Sequence, residues 1–136
     1  TVGCCAQMIG FAVISYKDNG IGGLISQGLG TSMLQIGNIV RHPRIWIAPT
    51  LTAAILGPVS TMVFRMTNNA LGAGMGTSGM VGPIATYATM IESGAEPAIL
   101  VAKIIFLHFL APAVIALSIH VLMKKSGLVK DGDMKL

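Results

Sequence analysis

The chain has 136 residues, of which 53% are hydrophobic and only 10% are charged, and its net charge is +4. Soluble domains carry about 25% charged residues, so this composition excludes an ordinary soluble domain and indicates an integral membrane protein. The basic residues lie at the ends of apolar segments and in the carboxyl-terminal tail. The positive-inside rule for membrane proteins explains this distribution better than a nucleic-acid-binding surface does. We therefore expect no nucleic-acid partner.

The first apolar segment, residues 1–16, carries no charge and is closed by the turn sequence Lys17-Asp18-Asn19-Gly20. It is predicted to be the end of a transmembrane helix. Because the chain starts within an apolar run and without Met, we expect it to be a piece of a larger membrane protein, cut within a helix. The adjacent Cys4 and Cys5 would point about 100° apart on a helix, so we interpret them as packing residues.

Residues 20–40, GIGGLISQGLGTSMLQIGNIV, again carry no charge. As a helix, this segment would place four polar side chains on one face, namely Gln27, Thr31, Gln35 and Asn38. Two interpretations stay open: the stripe joins helices by hydrogen bonds, or it faces a solute, since polar groups in lipid must face protein or water. A basic loop at residues 41–44 follows, and residues 45–64 form the next predicted transmembrane helix.

Residues 68–91, NNALGAGMGTSGMVGPIATYATMI, combine five glycines with a complete lack of charge. Each glycine costs a helix about 1 kcal/mol relative to alanine, so an unbroken helix is disfavoured. The pattern predicts backbone that enters the membrane, breaks and lines a protein-enclosed cavity. The motif Gly-x-Gly-Thr-Ser occurs here and also at residues 28–32, and paired glycine-interrupted segments are typical of transporter binding sites.

An acidic turn at residues 92–97 precedes the last predicted transmembrane helix, residues 98–123. We interpret His108 and His120 within this helix as hydrogen-bonded structural residues rather than proton relays. Residues 124–136 are predicted to be a cytoplasmic polar tail that is exposed and partly disordered. The predicted domain organisation is therefore a membrane portion, residues 1–123, followed by this tail.

The positive-inside rule predicts the topology of these segments. With the tail in the cytoplasm, seven of the nine Lys and Arg residues lie inside if segments 20–40 and 68–91 turn back within the membrane from opposite faces. Letting either segment span instead gives a poorer charge bias. The predicted fold is all-α and membrane-integral, with about three transmembrane helices and two glycine-rich re-entrant hairpins of inverted topology.

Backbone N–H groups and short hydroxyl side chains would converge at the tips of two such hairpins. This chemistry suits a polar, polyhydroxylated solute better than a cation, for which carboxylates within the membrane would be expected. We expect no catalytic residue, no metal and no cofactor. The predicted solute-binding residues are Gln27, Gly30, Thr31, Ser32, Gln35, Asn68, Asn69, Gly76, Thr77 and Ser78.

Two stretches, GGLISQGLGTSMLQIGNIVRHPRIWIAPTLTAAILGP and NNALGAGMGTSGMVGPIATY, resemble the membrane EIIC-type subunits of the bacterial phosphotransferase system, and the resemblance covers residues 3–123. It implies a multi-pass sugar permease domain of the bacterial inner membrane that works with cytoplasmic phosphoryl carriers and carries no phosphorylation site. It also implies that the chain is the carboxyl-terminal part of a larger subunit. We further expect a homo-oligomer. The better-studied sugar EIIC domains place an acidic residue and a histidine at the sugar. Here Glu92 and His42 lie in predicted loops, and neither role is carried over.

Two other functions can be weighed from the residues alone, a membrane sensor and an intramembrane enzyme. A membrane-embedded sensor or regulatory protein would bind a small molecule or lipid in the same pocket without moving it, and substitution of Thr77 or Ser78 would then alter signalling in the absence of any flux. An intramembrane enzyme is disfavoured, because no Ser/His pair stands at usable spacing and no metal-ligand cluster is present in the sequence.

Overall fold

The computed structural model describes residues 1–136 and consists of helices, turns and extended connections without any β-strand. The eight α-helices are α1 (Val2–Ile14), α2 (Tyr16–Ile25), α3 (Ile36–Arg41), α4 (Ile47–Pro58), α5 (Ala70–Met75), α6 (Val81–Glu92), α7 (Pro97–Ile105) and α8 (Ala111–Lys125). Three π-helical turns extend or join them, at Ser26–Gly30, Val59–Val63 and Phe106–Leu110. Short 3₁₀ turns lie at Ser32–Gln35, Pro43–Trp46 and Ser78–Met80.

Two continuous helical stretches are long and apolar enough to cross a membrane, Pro43–Val63 with 21 residues and Pro97–Lys125 with 29 residues. Their outward side chains, such as Leu51, Leu110 and Val114, are large, apolar and exposed. Helix α1 is apolar but has 13 residues, which is about 20 Å of helix against a hydrocarbon core of about 30 Å. Two of the predicted transmembrane segments therefore have the length to span as they stand, and α1 corresponds to the segment predicted as the end of a transmembrane helix.

The three apolar stretches pack together around two buried clusters at opposite ends of the bundle. One cluster lies where α1 ends and α4 begins and contains Phe11, Ile14, Ile45, Ala48, Ala116, Met123, Val129 and Met134; we call this the tail end. The other, at the turn end, contains Val2, Leu56, Met66, Leu100, Ile104, Leu107 and Ala111. Helix α4 therefore runs antiparallel to α1 and to the Pro97–Lys125 stretch.

The first glycine-rich segment is not one continuous helix. Helix α2 passes into the π-helical turn and stops at Thr31, whose backbone is extended and whose Oγ1 accepts a hydrogen bond from the N–H of Met33. The chain then returns through α3. Residues near both ends of the segment, Asp18 and Asn38, form hydrogen bonds with the carboxyl-terminal tail, so the segment begins and ends at the tail end.

The second glycine-rich segment also breaks in its middle. Asn69 caps α5 by accepting a hydrogen bond from the N–H of Gly72 at 2.8 Å, and α5 ends at Gly76, where φ is 56°. Met80 has a φ of 62°, an uncommon conformation for a residue with a side chain. Helix α6 then packs back against α5. Met66 before the break and Met90 after it both contact the turn-end cluster.

The carboxyl-terminal tail is mostly exposed, as predicted, but two of its apolar side chains and several main-chain hydrogen bonds anchor it on the bundle. Val129 and Met134 are each only 2% exposed. The carboxylate of Asp18 accepts hydrogen bonds from the backbone N–H groups of Gly132 and Met134. The Asn19 side chain donates to the Met134 carbonyl at 2.7 Å. Buried apolar side chains and main-chain hydrogen bonds together hold the tail.

The tail is also held by a charge pair whose strength depends on pH. The ammonium of Lys124 donates a hydrogen bond to Asp131, and this contact lowers the pKa of the Asp131 carboxyl below its ordinary value of 3.8. A carboxyl with a lowered pKa stabilises the folded state above that ordinary value and stops doing so as the pH falls through the folded pKa. We expect Asp131→Asn to speed amide exchange of residues 130–136 at pH 7, measured by hydrogen–deuterium exchange. The difference from wild type should begin to shrink as the pH falls below 3.8 and should vanish only below the lowered pKa of Asp131 in the folded state.

Candidate functional site

The breaks of the two Gly-x-Gly-Thr-Ser segments meet in the middle of the bundle. Thr77, which is fully buried, donates a hydrogen bond from Oγ1 to the carbonyl of Gly28 at 2.5 Å. Beside it, Gly76 lies against Cys4 and Cys5 of α1, so close that a Cβ at this position would fall 2.9 Å from the Cys4 Cβ. The two motifs therefore touch each other and share α1 as a wall.

A cavity of about 370 Å³ opens between the two breaks and α1. Thr31 and Ser32 line it from the first segment, and Ser78 lines it from the second. The Gln7 amide nitrogen donates to Thr50 Oγ1 at 3.1 Å, which leaves the Gln7 carbonyl oxygen available to a ligand. The complete lining is Cys4, Gln7, Met8, Thr31, Ser32, Met33, Gly74, Met75 and Ser78.

Gln27 and Gln35 do not line this cavity. Both are fully buried, and they form a chain of side-chain hydrogen bonds towards the tail. The Gln27 amide nitrogen donates to Ser15 Oγ at 2.7 Å, and that of Gln35 donates to Gln27 Oε1 and to the Met134 carbonyl, each at 3.0 Å. Asn38 donates to Gln35 Oε1 at 2.9 Å. Three residues of the predicted polar stripe thus join helices and tail by hydrogen bonds, which is the first of the two interpretations left open.

The remaining predicted residues do not line this cavity. Asn69 caps α5, and Asn68 donates to Thr1 Oγ1 and to the Gly82 carbonyl at the start of α6. Gly30 is exposed and has open space where a Cβ would stand. Thr77 forms the contact between the two breaks, and Gly76 lies against α1. Of the ten predicted residues, the structure brings Thr31, Ser32 and Ser78 together on one cavity wall.

A second polar cavity, of about 160 Å³, surrounds His108 near the turn end. His108 is only 1% exposed, and neither ring nitrogen has a hydrogen-bond partner within the protein. The prediction of a hydrogen-bonded histidine is therefore wrong at this position, and it is also wrong for His120, whose buried Nδ1 has no partner within the protein. The polar side chains around His108 are Thr1, Ser60, Thr61, Thr67, Asn68 and Thr86.

Two π-helical turns shape this second cavity. His108 lies in the turn Phe106–Leu110, while Ser60 and Thr61 lie in the turn Val59–Val63. Such turns often occur at functional sites because they shift the side-chain register of a helix. Ser60 and Thr86 donate their hydroxyl protons to carbonyls of their own helices at 2.8 Å, so they offer the cavity acceptor oxygens. Helical spacing in the sequence could not have revealed a site that depends on irregular turns.

No carboxylate lines either cavity, and the two residues compared with the family's sugar site lie elsewhere. Glu92 is the last residue of α6. His42 lies at the tail end, where its Nδ1 stands 3.8 Å from Asp133. The structure therefore agrees with leaving both roles unassigned, and the groups at the first cavity are hydroxyls, an amide and main chain.

The buried amide chain should contribute measurably to stability. Gln35→Met keeps the size of the side chain but removes the donor to Met134 and both bonds of the carboxamide to Gln27 and Asn38. Leaving buried polar groups without partners costs about 1–3 kcal/mol, and we expect a loss of that size in thermal unfolding together with faster proteolysis of the tail. Gln7→Met, which removes one partly exposed hydrogen bond, is the matched control and should lose less than about 1 kcal/mol.

The all-helical fold, the two membrane-length helices and the polar cavity between two broken segments are compatible with a helical membrane protein that has an internal polar site. The chain belongs to the family described as Phosphotransferase system, EIIC, whose sequence profile matches residues 1–136. No curated protein and no solved structure matches it. The resemblance seen in the sequence is thus confirmed, and with it a membrane protein of sugar transport in the phosphotransferase system, a transport subunit of the inner membrane.

Proposed function

We propose that this chain forms the solute site of a phosphotransferase-system sugar permease, and that the sugar binds in the 370 Å³ cavity between the two Gly-x-Gly-Thr-Ser breaks. The observation that carries the proposal is the meeting of the two motifs, through Thr77 and Gly28, next to a cavity lined by hydroxyls from both. Ser32 and Ser78 face each other's segments with hydroxyls that can both donate and accept.

The chemistry of the cavity favours a neutral, hydroxyl-rich solute. A buried cation would require carboxylates or several converging carbonyl oxygens, and no acidic residue lines the cavity. Sugar hydroxyls can exchange hydrogen bonds with Ser32, Ser78 and the free carbonyl oxygen of Gln7, while the methionine side chains offer apolar contact to the sugar ring.

The distribution of charge supports entry of the two broken segments from opposite faces of the bilayer. Seven of the nine basic residues belong to segments at the tail end, namely Lys17, Arg41, Arg44, Lys124, Lys125, Lys130 and Lys135, and Arg65 and Lys103 belong to the turn end. We propose that the tail end is cytoplasmic, that residues 20–40 and 68–91 are inverted re-entrant hairpins, and that residues 124–136 form the cytoplasmic tail. Phosphoryl carriers would approach this end, and the permease would act as a homo-oligomer.

Binding of radiolabelled sugars to the intact protein in detergent tests the proposal. A panel of hexoses, hexitols and disaccharides is measured by equilibrium dialysis with wild type, Ser32→Ala and Ser78→Ala. Each substitution removes about one hydrogen bond, and we expect affinity to fall about five-fold per serine. The matched control is Ser118→Ala, because Ser118 is exposed and donates to its own helix at Val114.

Two outcomes would contradict the proposal. Unchanged sugar affinity in both serine variants would show that the sugar does not bind in this cavity. Sugar binding that weakens as expected, without any sugar flux in proteoliposomes supplied with the phosphoryl carriers, would favour the membrane sensor instead.

A further inference from the structure

A third cavity lies at the tail end, between the loop that joins α3 to α4 and the packed tail. Its volume is about 310 Å³, and its lining is Arg41, His42, Pro43, Arg44, Gly127, Leu128, Lys130 and Asp133. The two membrane-length stretches begin and end beside it, at Pro43 and Lys125. The cavity therefore stands at the level where the membrane-crossing helices leave the hydrocarbon.

The charges of this cavity are not balanced. Arg41, Arg44 and Lys130 line it, and none of these three cations forms an ion pair, since the ion pairs of the chain are Lys17–Asp131, His42–Asp133 and Lys124–Asp131. The only carboxylate in the lining, that of Asp133, already accepts a hydrogen bond from the N–H of Lys130 at 2.8 Å. The cavity keeps an excess of positive charge that an anion would neutralise.

Apolar surface lies directly beside these cations. Val40 is 78% exposed, Trp46 is 51% exposed and Leu128, which lines the cavity, is 42% exposed. An exposed Trp at the first turn of a membrane-length helix is typical of the interface between lipid headgroups and acyl chains. A ligand that covers this apolar surface as well as the cavity must have both an anionic and an apolar part.

We propose that this cavity binds the headgroup of an anionic phospholipid, with the acyl chains lying along Val40, Trp46 and Leu128. Arginine side chains can hold phosphate oxygens by two parallel hydrogen bonds, and basic pockets at the cytoplasmic ends of transmembrane helices suit anionic headgroups. A soluble phosphate would use the cations but leave the apolar surface uncovered. Because Lys130 comes from the tail, lipid binding and tail packing must stabilise each other.

Native mass spectrometry of the intact protein, titrated with phosphatidylglycerol or phosphatidylcholine in a neutral detergent, tests this site. We expect phosphatidylglycerol to bind more tightly, and the double variant Arg41→Gln/Arg44→Gln to bind it about thirty-fold more weakly, since each cation near an anionic lipid contributes about five-fold. The control Lys125→Gln removes a cation at the same end that does not line the cavity, and its affinity should stay within about two-fold of wild type.

A second variant distinguishes a specific loss of lipid affinity from misfolding, because it is expected to increase that affinity. Asp133→Asn removes the only negative charge of the cavity and keeps an acceptor for the N–H of Lys130, so it should bind phosphatidylglycerol more tightly than wild type. The proposal would be overturned if the protein bound phosphatidylglycerol and phosphatidylcholine with equal affinity. It would also be overturned if Lys125→Gln lost as much phosphatidylglycerol affinity as the double arginine variant, or if Asp133→Asn gained none. Competition by glycerol phosphate at the affinity of phosphatidylglycerol would show a site for a soluble anion and would also overturn it.

Discussion

Gly82→Ala is expected to destabilise the protein by about 3 kcal/mol or more, at the upper end of what overpacking a well-filled interior costs. A Cβ at this position would overlap the carbonyl oxygen of Gly76 and stand 3.0 Å from Thr1 Cγ2. The Gly82 N–H also donates to that same Gly76 carbonyl at 2.8 Å. Backbone cannot move away here without separating α5 from α6, so thermal unfolding of the intact protein should show a large loss.

Gly74→Ala is the matched control for this substitution. Gly74 belongs to the same glycine-rich segment, lies in α5 and has nothing within 4 Å of the position that a Cβ would take. Alanine favours a helix over glycine by about 0.5–1 kcal/mol, so this variant should be as stable as wild type or slightly more stable. Equal destabilisation by both substitutions would show that α5 and α6 are not joined by the tight break described above.

Thr77→Val is expected to lower sugar uptake at least about ten-fold. The substitution keeps the shape of the side chain but removes the hydrogen bond to the Gly28 carbonyl, the side-chain link between the two breaks. An unpaired buried acceptor costs about 1–3 kcal/mol, and 1.4 kcal/mol changes the population of a conformer about ten-fold. Under the proposed function the two breaks separate and rejoin during transport, and loss of a link that exists only when they touch is expected to shift that balance.

Two further variants separate this effect from a general loss of stability. Thr77→Ser keeps the hydroxyl and should restore most of the uptake. Thr86→Val removes a hydroxyl that is equally buried but donates within its own helix, to the Gly82 carbonyl, and should change uptake much less than Thr77→Val. Uptake is measured in proteoliposomes with the phosphoryl carriers. A Thr77→Val protein that transports at the wild-type rate would contradict a functional link between the breaks.

The sequence predicted the places where the backbone breaks, because their cause is local. Glycine is unfavourable in a helix interior, and an uncharged run has no reason to leave the membrane. The two membrane-length helices are also local features, since each is an uninterrupted apolar run, and their predicted bounds lie within a few residues of the observed ones. Thr31, Ser32 and Ser78 followed from their positions next to the breaks and do line the cavity.

The packed tail could not be predicted, because its contacts join residues that are far apart in the sequence. Gln35 and Met134 are separated by 99 positions, and their hydrogen bond involves a main-chain carbonyl that has no signature in the side-chain pattern. The sequence of the polar stripe is therefore compatible with both interpretations, and only its contacts with the carboxyl-terminal tail distinguish them. The cavity around His108 escaped prediction for a different reason: it depends on π-helical turns, which regular helical spacing does not represent.

The most direct measurement of the central claim is the labelling of single cysteines from each side of the membrane, in the intact protein with Cys4 and Cys5 replaced by alanine. Val40→Cys lies at the end of the first broken segment and Ser93→Cys directly after the second, and both positions are exposed. If the two segments enter from opposite faces, a membrane-impermeant maleimide labels Val40→Cys only from the cytoplasm and Ser93→Cys only from outside. Labelling of both positions from the same side would contradict the inverted arrangement and, with it, the shared site between the two breaks.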